Sequence, residues 1–170
     1  SKTTYFLSSN RYFTDIVERS LLIDRKKILE IGLPRNEIFF QDYSDIVDRV
    51  KQSYHIEPDT KIVMYAPTYR TPGENSFLAH QLGPYEIDTD RVIGALEERF
   101  AGKWVFALRL HPSIADQLKN TPANVINMSG YDDIQELMCA ADILINDYSS
   151  TMWDFVQTRK PCFIFARDLD

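Results

Sequence analysis

Residues 140–155 read AADILINDYSSTMWDF. Ile143, Leu144 and Ile145 form a short apolar run. Asn146, Asp147, Tyr148, Ser149, Ser150 and Thr151 then make a polar turn, and a helix-like segment starts near Thr151. A strand, a hydroxyl-rich turn and a helix start, in that order, describe a ligand site at the carboxyl end of a parallel strand. Backbone N–H groups at a helix start, beside Ser and Thr hydroxyls, suit a phosphate. Asp, Ser and Thr are also the ordinary N-capping residues, so a plain cap explains the same letters. Two further polar strand ends elsewhere in the chain favour the ligand reading.

Those ends appear upstream, where the pattern becomes regular. Ile62-Val63-Met64-Tyr65-Ala66 is a continuous apolar run, as in a strand buried on both faces. It ends in Pro67-Thr68-Tyr69-Arg70. Residues 71–82 are polar and contain glycine, and read as a loop over that strand end. Residues 88–100 form an amphipathic helix with Val92, Ile93, Leu96 and Phe100 inward and Asp88 or Thr89 as cap. A strand over 104–110 ends in Arg109-Leu110-His111-Pro112. A short helix over 113–118, a strand over 124–128 and a helix over 132–140, capped by Asp132 or Asp133, lead back to the opening stretch. Residues 162–166 read as a last strand. Strands alternating with helices imply an α/β fold with a doubly wound, mainly parallel, Rossmann-like sheet. In such a sheet the three polar strand ends share one edge.

Residues 1–60 are less regular and read as an arm or linker region whose helices pack on the 61–170 core. A short β-rich run over 2–7 precedes a helix over 11–22, with Phe13, Ile16, Val17, Ser20 and Leu21 near helical spacing. A strand-like run over 26–31 stops at a turn, Gly32-Leu33-Pro34-Arg35-Asn36. A helix over 43–54 follows, with Ile46, Val47 and Val50 on one face. The chain starts on Ser1 and stops at Asp170 soon after a strand-like run, so it reads as a fragment of a longer chain.

Composition sets the outer bounds. With 170 residues, 44% hydrophobic and 26% charged, the chain can bury a full core. A net charge of −6 argues against a general nucleic-acid binder, which needs a basic stripe. Cys139 and Cys162 have apolar neighbours and no metal-type spacing, and read as buried free thiols in a reducing, cytoplasmic setting. No apolar run reaches membrane-spanning length, and residues 1–10 lack a signal-peptide pattern.

Among the polar ends, His111 is the sharpest candidate. It follows a buried strand and sits beside a Pro that fixes the turn. Imidazole there could donate to a phosphate oxygen or move a proton near neutral pH, although a backbone carbonyl would satisfy it equally. Arg70, past its strand end, can pair with phosphate in a bidentate way, and Thr68 adds a hydroxyl. Arg109 reads either as a ligand contact or as part of an internal salt bridge. Asp147 could cap the turn, hold a ribose hydroxyl or orient His111. Ser149, Ser150 and Thr151 are phosphate ligands, caps or both. Asp154 falls one helical turn after Ser150 and can point back to the same edge. A serine nucleophile is disfavoured, since no G-x-S-x-G elbow is present. His55, His80 and His111 lie in separate segments, so no metal cluster is expected. Neither a G-x-x-x-x-G-K nor a G-x-G-x-x-G loop occurs, so any phosphate must be held by side chains and helix-start amides.

Four motifs taken together resemble one family. They are Ile31-Gly32-Leu33-Pro34-Arg35-Asn36, Tyr65-Ala66-Pro67-Thr68-Tyr69-Arg70, Arg109-Leu110-His111-Pro112, and Asp147-Tyr148-Ser149-Ser150 with Asp154-Phe155. In this order and spacing they resemble the CDP-glycerol glycerophosphotransferases of teichoic acid and capsule polymer synthesis. The resemblance implies the C-terminal, donor-binding half of a two-domain GT-B fold. It implies CDP-glycerol as donor, a polyol-phosphate polymer as acceptor, and peripheral association of the parent protein with the inner face of the cell membrane. It implies His111 as the catalytic residue, and donor contacts at Thr68, Arg70, Arg109, Asp147, Tyr148, Ser149, Ser150, Thr151 and Asp154. The family's other histidine, in a His-Gly-Thr type motif, has no match in this sequence. CDP-ribitol or a nucleotide sugar as donor, and a non-catalytic nucleotide-binding module, remain alternatives. The resemblance names no certain cofactor beyond the donor and leaves the divalent-metal requirement open.

Overall fold

The computed structural model describes residues 4–68, 87–110 and 123–166. His111, Arg70, the 71–82 loop and the expected helix over 113–118 lie outside them. The chain divides into two compact units, Ser1–Gln41 and Asp42–Asp170.

The first unit is a small βαβ arrangement. Strand β1 (Phe6–Ser8) and strand β2 (Ile28–Glu30) pair in parallel, with Phe6 opposite Ile28, and helix α1 (Arg11–Leu21) crosses between them. Asn10 starts α1 by accepting the Phe13 N–H at 2.9 Å. The run expected to be a strand over 26–31 begins instead as a 3-10 turn, Arg25–Lys27, because Asp24 accepts the Lys26 N–H and holds the chain in a cap. The turn expected at 32–36 continues into a longer 3-10 helix, Pro34–Phe40, with Pro at its start. Val17, Ile23 and Ile28, with Phe6 against them, form a core cluster in this unit, and Phe39 is buried as well. Of the α1 residues read as near helical spacing, Val17 is buried, while Phe13, Ile16 and Leu21 are exposed.

The second unit is built on a five-stranded sheet. Its strands are β3 (Lys61–Tyr65), β4 (Trp104–Leu108), β5 (Val125–Asn127), β6 (Ile143–Asn146) and β7 (Cys162–Ile164). They lie in the order β5-β4-β3-β6-β7, and every pair is parallel. The expected doubly wound α/β sheet is therefore present. The order reverses at β3, which has β4 on one side and β6 on the other.

Helix α2 (Ser44–Ser53) precedes the sheet, and α3 (Thr89–Phe100), α4 (Ile134–Ala140) and α5 (Thr151–Phe155) lie between its strands. Period-two alternation sends Val63, Tyr65, Phe106, Leu108, Ile143 and Ile145 to one face, where Val92, Ile93 and Leu96 of α3 pack on them. Met64, Ala107 and Leu144 point the other way and are equally buried, so both faces are covered. Phe100, expected inward, is exposed; its ring lies 6.2 Å from that of Trp104 at the helix end. Helix α2 packs on α4, and Arg49 pairs with Glu136 across them at 2.5 Å. Cys139 is buried as expected, whereas Cys162 on edge strand β7 is only half-buried.

Candidate functional site

The parallel ladder between β3 and β6 runs past its last paired residues and then changes character. The Ala66 N–H donates to the Ile145 carbonyl at 3.0 Å. Two residues on, the ladder would pair the Thr68 N–H with the Asp147 carbonyl. The Asp147 side chain takes that place. Its Oδ1 accepts the Thr68 N–H at 2.8 Å and also the Thr68 hydroxyl. A carboxylate accepting two such bonds is a strong fastener, because its charge assists both. Asp147 is 6% exposed, so water competes little. The main chain at Asp147 is thereby released to turn away from the sheet while its side chain stays attached to β3.

Asn146, the last residue of β6, organises the other side of the turn. It is fully buried at 0% exposure. Its carbonyl accepts the Phe165 N–H beyond β7 at 2.6 Å, its Oδ1 accepts the Asp147 N–H at 2.7 Å, and its Nδ2 donates to the Ser149 carbonyl at 3.4 Å. Ser149 then starts α5. Its Oγ accepts the Thr151 N–H at 3.3 Å and lies 2.9 Å from the Thr151 hydroxyl, and its carbonyl accepts the Met152 N–H. The N-cap position itself is Ser150, whose side chain makes no cap bond; Ser149, one residue before it, supplies the hydroxyl to the Thr151 N–H. Ser150 and Tyr148 are exposed, Thr151 is half-buried, and Asp154 is buried under the helix start.

The neighbouring strand ends carry their own fasteners. Arg109 continues the β4 ladder, its N–H donating to the Tyr65 carbonyl at 2.9 Å. Its Nη1 donates to the carbonyls of Met128, Ser129 and Tyr131, which form the turn after β5. Through this Nη1 Arg109 clamps a turn. Burial pushes the Arg109 guanidinium below its ordinary pKa, opposed by Tyr54 and Asp132 nearby. Ser129, 4% exposed, accepts the Leu110 N–H through Oγ at 2.9 Å.

Sequence reasoning thus brought Thr68, Asp147, Ser149 and Thr151 to one place, and the structure joins them by hydrogen bonds. It overlooked Asn146 and Ser129. The signals were a polar residue closing an otherwise apolar strand, and a Ser-Gly pair directly after one. Among the described residues no group of three or more His, Cys, Asp or Glu side chains is placed to hold a metal ion.

The arrangement has a functional address. The Thr68–Asp147 contact bridges β3 and β6, where the strand order reverses, and open α/β sheets bind ligands in the crevice at that switch point. A teichoic acid poly(glycerol phosphate) polymerase of Staphylococcus epidermidis is 33% identical over 100% of this chain, which spans 23% of that protein. The poly(glycerol phosphate) polymerase of Bacillus subtilis is 31% identical over 100% of the chain, spanning 22% of its length. A solved structure of the wall teichoic acid polymerase TagF, soaked with CDPG, superposes with a TM-score of 0.74 at 33% identity, covering 98% of this chain and 39% of that one. The chain therefore spans less than half the length of these relatives. The sequence pattern of the CDP-glycerol:poly(glycerophosphate) glycerophosphotransferases matches residues 1–170 without interruption, and the chain belongs to that family.

Proposed function

We propose that this chain supplies the donor-binding part of a transferase that moves glycerol phosphate from CDP-glycerol to a hydroxyl of a growing teichoic acid or capsule polymer. The observation that carries the reading is the Asp147–Ser150 turn, fastened to Thr68 at the switch point of a parallel sheet, in a chain that matches the family over its whole length. In this reading an acceptor hydroxyl attacks the β-phosphorus of CDP-glycerol. The new P–O bond forms as the bond to the bridging oxygen breaks, CMP leaves with that electron pair, and the hydroxyl proton passes to a base. Charge builds on the phosphoryl oxygens, so catalysis rests on positioning and charge stabilisation.

His111 and Arg70 are assigned to the diphosphate on the strength of the motifs that carry them. Ser150 offers an exposed hydroxyl with Tyr148 exposed nearby in sequence, and Thr151 a half-buried one that meets the Ser149 hydroxyl, while Asp154 is buried. Ser149 acts through its bond to the Thr151 N–H. Arg109 holds the β5 turn in place beside the site. Work at the inner face of the cell membrane follows from the polymer such an enzyme extends.

Calorimetric titration of the chain with CDP-glycerol, CDP-ribitol, CDP, CMP and a UDP-sugar tests this. Binding of CDP-glycerol and CDP in preference to the UDP-sugar is expected. Preference for the UDP-sugar, or silence toward every cytidine nucleotide, overturns the donor assignment, and tighter binding of CDP-ribitol reassigns the polymer. His111→Ala should weaken CDP-glycerol binding by about tenfold, through loss of one charge-assisted bond. Unchanged affinity in a folded variant removes His111 from the site.

A further inference from the structure

We propose that Asn146 and the Thr68–Asp147 pair are positioning residues that preset the donor turn before any ligand arrives; the inference rests on the donor-binding reading above. Three strand ends meet at the turn, one through side chains and one through the backbone. β3 reaches it through Thr68 to Asp147, β7 is tied at the Asn146 carbonyl, and the Asn146 amide grips both ends of the bend at Asp147 N–H and Ser149 carbonyl. Asn146 is fully buried and both functions of its amide group are used. An alanine at 146 satisfies neither, and an aspartate cannot donate to the Ser149 carbonyl when ionised.

The arrangement matters because a turn carrying hydroxyls is a good phosphate cradle only if it is already shaped. Ordering it on binding would subtract from affinity, and a fixed turn avoids that loss. Asp147 and Thr68 are then spent on each other: the Oδ1 of Asp147 and the hydroxyl of Thr68 face one another across two strands 79 positions apart in sequence. The ligand contacts fall to their neighbours Ser150 and Thr151.

Thr68→Val tests this with little disturbance, since it removes the hydroxyl while keeping shape and backbone N–H. Amide hydrogen exchange is measured across residues 147–151 without ligand, and CDP-glycerol affinity is measured by calorimetry. Faster exchange over 147–151 and an affinity loss of about tenfold are expected, with Thr68→Ser restoring both. Adding Asp147→Asn to Thr68→Val should cost less than the product of the two separate losses, because both remove one interaction. Asn146→Ala should raise exchange in the same residues if it folds; Thr68→Val decides the matter if it does not. Unchanged exchange and affinity in Thr68→Val overturn the latch. Faster exchange with unchanged affinity overturns its role toward the donor. A wild-type chain that binds no CDP-glycerol refutes the donor reading itself, while the exchange data still show whether the latch holds the turn.

Discussion

At the scale of single residues, burial decides what a reactive group does. Cys139 sits at 0% exposure, and burial pushes its thiol up to about 11, with Lys160 pulling the other way. The folded chain keeps this proton where the unfolded chain, near 9, has lost it. Stability from Cys139 is therefore complete below pH 9 and falls as pH rises toward 11. Lys160 acts oppositely: burial lowers its pKa below 10.5, so stability rises with pH through that window. The comparison that isolates the thiol is Cys139→Ala, which should show a shallower loss of melting temperature between pH 9 and 11 than wild type; parallel curves would refute it. Arg109 offers a second test. One nitrogen donates to three carbonyls, and a lysine cannot reproduce the planar fork that places it there. Arg109→Lys should lower unfolding free energy by roughly 1–3 kcal/mol in denaturant titration. A neutral result would mean that the 128–131 turn holds itself.

At the scale of elements, α3 shows how a helix is bounded and how much of that is legible. Asp88 accepts the Arg91 N–H at 3.0 Å and is the cap; sequence left Asp88 and Thr89 equal because both residue types cap. Asp88→Ala should cost about 1 kcal/mol, read as a lower denaturant midpoint with unchanged slope. The other end stops at Ala101, whose φ of 53° and ψ of 172° suit glycine and strain any L-residue. Ala101→Gly should raise stability by about 1 kcal/mol despite glycine's freer unfolded chain, because relief of strain is the larger effect. A drop in melting temperature would show that the backbone is at ease there. Periodicity found α3 and all five strands of the large sheet, because buried strands and amphipathic helices impose their spacing on the letters. It missed the 3-10 helix at Pro34–Phe40, where only Phe39 is buried and no period is imposed. The turn after β6 was legible as polar and hydroxyl-rich. That Asp147 bonds Thr68 was not, because a contact over 79 positions leaves no local pattern.

At the scale of the whole molecule, the two units differ in what holds them. The unit from Asp42 onward has a ten-residue core cluster between sheet and α3, with Val63, Phe106 and Leu108 fully buried. Among its described residues the unit Ser1–Gln41 has four buried apolar residues, Val17, Ile23, Ile28 and Phe39, two strands of three residues each, and Tyr12, Leu22, Ile31 and Phe40 exposed. Isolated two-stranded sheets are marginal in water, and chains near 40 residues rarely bury enough to fold alone. Residues 42–170 expressed alone should therefore unfold cooperatively on heating, while residues 1–41 as a peptide should show no cooperative transition by circular dichroism. Within the 170-residue chain, amides of Ile28–Glu30 should exchange with solvent faster than those of Lys61–Tyr65, since local opening follows local burial. Equal protection of the two strands would show that the small unit is held as firmly as the large one, and loss of the cooperative transition when residues 1–41 are removed would show that the large unit draws its stability from the small one. In that case the switch-point site would depend on residues 1–41, and CDP-glycerol affinity should fall with their deletion. Independent units predict that affinity survives it.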